Sequence, residues 1–252
     1  DYNIYLNQII VMNIKNIIFS IISISLLILI TAIIAILGLP FLALPRKYTA
    51  KLINSWSKIM LLFFKNYDGL DWDVQGINNI PNGPFVVASK HQSVWDTIFF
   101  TAFFSDAAMV LKRIIILIPF YGLHAIKAKM IWLDRKGHSK ALKKLIKQGE
   151  NCKNEKRPIV IFPEGTRSQV GHKNEYKPGV TALYKFLNIP CIPVALNSGI
   201  YWETKGLKRN KGKIIVKFMK PIEPGLSRDE FEKKLETVIE SETKILVESA
   251  IN

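Results

Sequence analysis

The stretch K-H-Q-S-V-W-D, residues 90–96, sets a histidine five positions before an aspartate. An imidazole and a carboxylate make a general base together. The carboxylate accepts a hydrogen bond from Nδ1–H, which fixes the tautomer and leaves Nε2 basic. Such a histidine takes the proton of a hydroxyl as that hydroxyl attacks a carbonyl. A plainer account fits the same letters. Ser93-Val94-Trp95-Asp96 reads as an [ST]-x-x-[DE] capping box opening an apolar helix, worth about 1 kcal/mol with no catalysis. Both accounts need His91 in the loop and Asp96 in the first helical turn. On one continuous helix the two would point about 140° apart. The catalytic account also needs a substrate-binding element elsewhere in the chain.

F-P-E-G-T-R-S, residues 162–168, is such an element. Pro163 and Gly165 force a turn after a strand-like run. Glu164, Thr166, Arg167 and Ser168 then stand at the strand's C-terminal edge, where α/β proteins bind ligands. The planar donor fork of arginine suits a phosphate. Nothing marks a nucleophile: there is no G-x-S-x-G, and Ser93 reads as a cap. The two cysteines, Cys152 and Cys191, form no C-x-x-C and have no histidine at zinc-like spacing, so no metal is expected. They read as small apolar residues in a reducing compartment. His124, His138 and His172 read as surface or structural, and Trp72, Trp95, Trp132 and Trp202 as core or interface.

The ordered set H-Q-S-V-W-D, P-F-Y-G, L-D-R, F-P-E-G-T-R-S and C-I-P-V-A-L resembles the glycerolipid acyltransferase family, over roughly residues 45–225. It is most similar to the family's membrane-bound 1-acyl-glycerol-3-phosphate acyltransferases. The resemblance implies His91 as general base and Asp96 as its orienting partner. It implies Glu164, Gly165, Thr166 and Arg167 as contacts for the glycerol-phosphate acceptor, with Arg135 as a further phosphate contact. Lys177 and Gly179, in Y-K-P-G, resemble a lysine–glycine pair of that family, which gives Lys177 a phosphate role. Ile192-Pro193-Val194 would be an acyl-donor or structural element. One block departs from the pattern. Lys112-Arg113-Ile114-Ile115 stands where relatives often read K-x-E-L, so isoleucine replaces an acid. Lys112 remains an expected acceptor contact, and the choice of acceptor stays open.

Several elements must position these residues. Strand-like runs at 71–76, 85–88, 107–111, 130–133, 158–162, 191–196 and 213–219 alternate with helical patterns at 94–104, 138–151 and 178–188. A last helix starts at Ser227, capped by Glu230. The alternation predicts an α/β fold, a mixed sheet flanked by helices, over residues 68–252. A helical membrane anchor precedes it. Residues 16–45 carry no charge, more than the about 20 residues that a bilayer span needs and too many for a signal-peptide core. Gly38 and Pro40 should break the helix. One tilted span, or two shorter helices entering and leaving one leaflet, both fit that length. Residues 47–67 place Leu52, Trp56, Ile59, Met60 and Phe63 on one side, as either an interfacial helix of the anchor or a core helix. Residues 1–15 form an N-terminal tail. Met12-Asn13-Ile14-Lys15 looks like a natural start, which would make residues 1–11 a misassigned extension.

Charge supports the membrane setting. The chain is 49% hydrophobic with mean hydropathy +0.16, yet its formal net charge is +15. Apolar plus basic suits an anionic lipid surface. Nucleic acid is not expected, since the basic residues are scattered and no RRM, KH, zinc-finger or homeodomain signature is present. Only Lys15 precedes the apolar run, whereas Arg46, Lys47, Lys51, Lys58 and Lys65 follow it. The positive-inside rule then puts the catalytic domain on the cytoplasmic side of the inner membrane. The basic helix at 138–148 reads as a solvated face, or as a seat for anionic lipid or an acidic acyl-carrier protein.

The expectation is an enzyme that moves an acyl group from an acyl-carrier-protein or CoA thioester to the sn-2 hydroxyl of lysophosphatidic acid, giving phosphatidic acid. The thioester is a co-substrate, and no bound cofactor is expected. Two alternatives stand beside it. One is a sister enzyme acting on glycerol-3-phosphate or another lysolipid. The other is a non-catalytic lipid-binding protein, which would have no chemical reason to keep His91, Asp96 and Arg167 together.

Overall fold

Short runs, most of them rich in valine and isoleucine, form the strands. The computed structural model describes residues 2–134, 138–204 and 209–251. The strands are β1 (Leu70–Gln75), β2 (Val86–Ser89), β3 (Ala108–Lys112), β4 (Ile131–Leu133), β5 (Ile159–Ile161), β6 (Cys191–Leu196) and β7 (Gly212–Phe218). They lie in one sheet in the order β1-β7-β6-β2-β5-β3-β4. β6, β2, β5, β3 and β4 are parallel. β7 runs antiparallel to β6 and parallel to β1, so the sheet is mixed as expected. The five parallel strands open their C-terminal ends on one edge. Ser89, Lys112, Leu133, Ile161 and Leu196 end there. That topology gathers motifs that are far apart in sequence.

The helices are α1 (Tyr2–Leu37), α2 (Arg46–Phe63), α3 (Val94–Phe103), α4 (Tyr121–Lys127), α5 (His138–Asn154), α6 (Pro178–Leu187), α7 (Ser198–Tyr201) and α8 (Arg228–Ile251). Alternating side-chain directions split the core into two layers. Val87, Met109, Val160, Ile192 and Val194 pack with Met60, Phe64, Trp95, Phe99 and Phe100, under α2 and α3. Val86, Ala88, Ile159 and Ile161 pack on the other face with Leu145, Leu183, Leu187, Phe231, Leu235 and Ile239 of α5, α6 and α8. Cys152 and Cys191 are free, buried thiols. α8 begins at the expected box. Ser227 N–H donates to Glu230 Oε2 at 2.8 Å, and Glu230 N–H donates to Ser227 Oγ at 3.3 Å.

α1 runs unbroken to Leu37, and Gly38 and Pro40 lead into a short 3-10 turn, Leu39–Ala43. Its segment Ile18–Leu37, 20 residues of mean hydropathy 2.9, is long and apolar enough to cross a membrane. At 1.5 Å per residue it is about 30 Å long. Polar contacts key α1 to the rest of the molecule. Ser23 Oγ donates to Asp68 Oδ2 at 2.9 Å, and Arg209 Nη1 donates to the same oxygen at 2.5 Å. The Arg209 guanidinium lies 3.7 Å from the Trp202 ring centroid. His124, buried, places Nε2 2.8 Å from the Ala35 carbonyl oxygen, a structural role as expected. Trp56 Nε1–H donates to Thr31 Oγ1 at 3.2 Å.

α2 buries a face that includes Met60 of the predicted stripe, with Trp56 and Phe63 partly buried at its border. Thr49, Ala50, Ile53, Asn54, Ser57, Met60 and Leu61 are buried, while Ile59 is 48% exposed. Three of those buried residues are polar, which is why an apolar stripe finds only part of that face. Their bonds are supplied by neighbours. Asn54 Nδ2 donates to the Thr101 and Ala102 carbonyls at 2.8 and 2.9 Å, and Ser57 Oγ lies 2.7 Å from Thr101 Oγ1. α2 is thus a core helix against α3 on one side and an exposed apolar helix on the other, where Leu62 is 54% exposed.

Candidate active site

The loop that leaves β2 continues the sheet for one residue, with Lys90 N–H donating to the Val194 carbonyl at 2.9 Å. Ser93 is extended, caps α3, and forms the capping box with Asp96. The box and the histidine–aspartate pair coexist on one carboxylate. Asp96 Oδ2 accepts from the backbone N–H of Gln92 at 2.7 Å and of Ser93 at 2.9 Å. The same oxygen lies 3.0 Å from His91 Nδ1. Asp96 Oδ1 lies 2.9 Å from the Ser93 hydroxyl and accepts from that of Ser198 at 2.5 Å. Asp96 is fully buried, while the His91 side chain is 15% exposed. The His91 ring stacks on Phe162, with centroids 3.9 Å apart and planes at 16°. Nδ1–H donating to a carboxylate leaves Nε2 as a proton acceptor, and among the described residues Nε2 takes no hydrogen bond.

The F-P-E-G-T-R-S segment follows β5 on the adjacent strand. Gly165 has φ 65°, the left-handed region open to glycine, and its N–H donates to the Phe162 carbonyl at 2.9 Å. The two motifs are bonded to each other. Ser168 N–H donates to the His91 carbonyl at 2.7 Å, and Ser168 Oγ donates to the same oxygen at 3.2 Å. Thr166 and Arg167 are exposed at this edge. A guanidinium there is open to an anion.

Glu164, expected among the acceptor contacts, is turned inward instead. Its side chain is 1% exposed. Oε1 lies 3.3 Å from Ser168 Oγ and pairs with Lys90 Nζ at 3.2 Å, and Oε2 accepts the Asn174 N–H at 3.2 Å. Burial pushes its carboxyl above the ordinary range, against the pull of Lys90. Glu164 therefore holds the turn from beneath, and the outward-facing polar groups are Thr166 and Arg167.

Lys112 closes β3 at the same edge, in register with Leu133 of β4, and is exposed. Arg135 lies outside the described residues. Lys177 caps α6, and its N–H donates to the Pro163 carbonyl at 2.8 Å, so its backbone braces the turn. Its ammonium donates to Glu175 at 2.7 Å in an exposed pair. The P-F-Y-G block has a packing reason for its glycine: a Cβ on Gly122 would sit 1.9 Å from the Ile116 carbonyl oxygen.

Four residues join the site without having been singled out from the sequence. Lys90, 1% exposed, pairs with Glu164 and with Glu240 of α8. Gln92 Oε1 accepts the Gly199 N–H at 3.0 Å. Ser198 reaches Asp96 from α7. The topology could have pointed to Ser198, because β6 ends on the same edge as β2. Glu240 had a fainter signal, one turn before the buried Thr243 on the inner side of α8.

The chain is similar to known proteins in sequence and in fold. A family model described as Acyltransferase matches residues 71–197. The chain is 38% identical to a 1-acyl-sn-glycerol-3-phosphate acyltransferase of Pseudomonas aeruginosa, over 65% of this chain and 64% of that protein. It is 30% identical to a 1-acyl-sn-glycerol-3-phosphate acyltransferase of Saccharomyces cerevisiae, over 81% of this chain and 68% of that one. The chain thus spans about two thirds of the length of these relatives. In fold it is similar to the crystal structure of the 1-acyl-sn-glycerophosphate (LPA) acyltransferase PlsC from Thermotoga maritima. The TM-score is 0.75 at 24% identity, over 93% of this chain and 97% of that one.

Proposed function

This chain belongs to the acyltransferase family, and from that premise we propose that it acylates the sn-2 hydroxyl of 1-acyl-glycerol-3-phosphate, forming phosphatidic acid. The observation that carries the reading is the His91–Asp96 pair. It is bonded at 3.0 Å, has Nε2 without a hydrogen bond among the described residues, and is tied through Ser168 to the turn that bears Arg167. The names of the relatives support the choice of lysophosphatidic acid as acceptor.

The reaction needs one base and one phosphate site. The acceptor hydroxyl attacks the thioester carbonyl while His91 Nε2 takes its proton. The tetrahedral intermediate collapses, the C–S bond breaks, and the thiolate recovers that proton from the imidazolium. Asp96 holds the ring and offsets its positive charge. No acyl-enzyme forms. Arg167 and Lys112, exposed at the sheet edge, take the acceptor phosphate, with Thr166, the Gly165 backbone, Lys177 and Arg135 beside them. Glu164 keeps the turn in shape. The donor is an acyl-carrier-protein or CoA thioester, and no metal enters these steps. Ile18–Leu37 anchors the protein in the cell membrane where acceptor and product reside, with the catalytic domain on the cytoplasmic side, as the basic residues after the span indicate.

The test is acyl transfer by the purified protein in detergent. Lysophosphatidic acid and glycerol-3-phosphate are each offered with acyl-carrier-protein and CoA thioesters. Phosphatidic acid from lysophosphatidic acid is the expected product, and the faster thioester identifies the donor. Product from glycerol-3-phosphate alone would reassign the acceptor, and no transfer with any pair would contradict the reading.

A further inference from the structure

We propose that Ser198 is the positioning residue of the His91–Asp96 pair, holding the carboxylate in the rotamer that lines Oδ2 up with the imidazole. This rests on the dyad reading above. Among the described residues Asp96 Oδ2 takes all of its bonds from its own loop: Gln92 N–H, Ser93 N–H and His91 Nδ1. Those donors move with Asp96 as one local unit. The last torsion of an aspartate is broad and soft. Rotation about it would swing Oδ2 away from Nδ1, unless Oδ1 is also held.

Two hydroxyls reach Oδ1. Ser93 belongs to the same turn, and its Oγ also lies 2.9 Å from Ser198 Oγ. Its single proton can serve only one of those acceptors. Ser198 is the donor from outside. It comes from α7, 102 residues along the chain, and its Oγ lies 2.5 Å from Oδ1. Ser93, Asp96 and Ser198 are all fully buried, so no water competes for the carboxylate.

The segment around Ser198 is built against the catalytic loop at further points. Gly199 N–H donates to Gln92 Oε1 at 3.0 Å. Thr204 Oγ1 lies 2.9 Å from the Gln92 carbonyl and 2.8 Å from the Ser168 carbonyl. Gly199 is close enough that a Cβ there would meet Gln92 Cβ at 3.0 Å and Val170 Cγ2 at 2.8 Å. The end of β6 thus clamps the loop of β2, and among the described residues of that clamp Ser198 alone touches the carboxylate.

The experiment uses the full chain in detergent. Steady-state kinetics of Ser198→Ala and Ser198→Cys are measured beside wild type and His91→Ala. The His91 Nδ1–H resonance is recorded in each folded variant after ¹⁵N-histidine labelling. Ser198→Ala is expected to lower kcat about 10- to 100-fold, with acceptor KM within about twofold of wild type, and to shift or broaden the His91 resonance. Ser198→Cys, which keeps the volume with a weaker donor, should fall between the two. Should Ser198→Ala fail to fold, Ser198→Cys carries the test through the same two readouts. Wild-type kcat in either folded variant would overturn the proposal, as would a lost kcat with an unmoved His91 resonance. A wild type with no acyl transfer would instead indict the function, while the resonance would still report on the clamp.

Discussion

Lys90 Nζ lies 2.9 Å from both carboxylate oxygens of Glu240, across 150 residues of chain. Glu164 shares that ammonium, and Tyr176 donates its hydroxyl to Glu240 at 3.0 Å. One buried cation therefore joins the residue before His91, the turn that bears Arg167, and the C-terminal helix.

Lys90→Met leaves two carboxylates facing each other with their cation gone. Removing one partner of a buried pair costs about 3–5 kcal/mol. Denaturant unfolding should show a loss of that size for Lys90→Met, and a smaller one for Glu240→Gln, which leaves Lys90 paired with Glu164. Wild-type stability in Lys90→Met would show that the cluster does not hold these segments together.

Asp68 and Arg209 form a second buried pair, and Ser23 of α1 bonds to both. Burial raises the Asp68 carboxyl and lowers the Arg209 guanidinium, each against the pull of the other. Asp68→Ala strands the guanidinium on the Trp202 ring. The expected cost is again about 3–5 kcal/mol, and protease cleavage after α1 should quicken as the helix loosens. Resistance equal to wild type would mean that α1 is held by its apolar contacts alone.

Acid should loosen the opposite corner of the sheet. Arg46 and Arg157 bracket Asp106 and Glu155, and Lys129 bonds Glu155 at 2.5 Å. Burial opposes the Glu155 charge, but Lys129, Arg46 and Arg157 outweigh it and hold the carboxyl below its ordinary value of 4.5. A folded-state value below the unfolded one adds stability above the unfolded value and loses it as pH falls through the folded one. Tm should drop as pH goes from about 5 towards 3. Glu155→Gln should flatten that slope, and an unchanged slope would remove Glu155 from the account.

Periodicity and turn residues located the strands to within a residue or two, because a short β-branched run between turns has few other ways to fold. H-Q-S-V-W-D was legible as both a cap and a dyad, and the geometry uses Asp96 for both. Contacts made by distant segments were not legible. The inner face of α2 carries Thr49, Asn54 and Ser57, whose partners lie at Phe41, Thr101 and Ala102, so hydrophobicity alone found only part of that face. Glu164 reads as an exposed turn acid until Lys90 is placed beneath it. The C-terminal helix offered a cap and an apolar face, and the bond from Glu240 to Lys90 becomes visible only once that helix is packed on the sheet.

The most direct test of the central claim is the turnover of His91→Ala with lysophosphatidic acid and a saturating acyl thioester. If His91 is the base that deprotonates the acceptor hydroxyl, kcat falls by about 10²- to 10⁴-fold, with Tm near that of wild type. Turnover equal to wild type in a folded His91→Ala protein would contradict it.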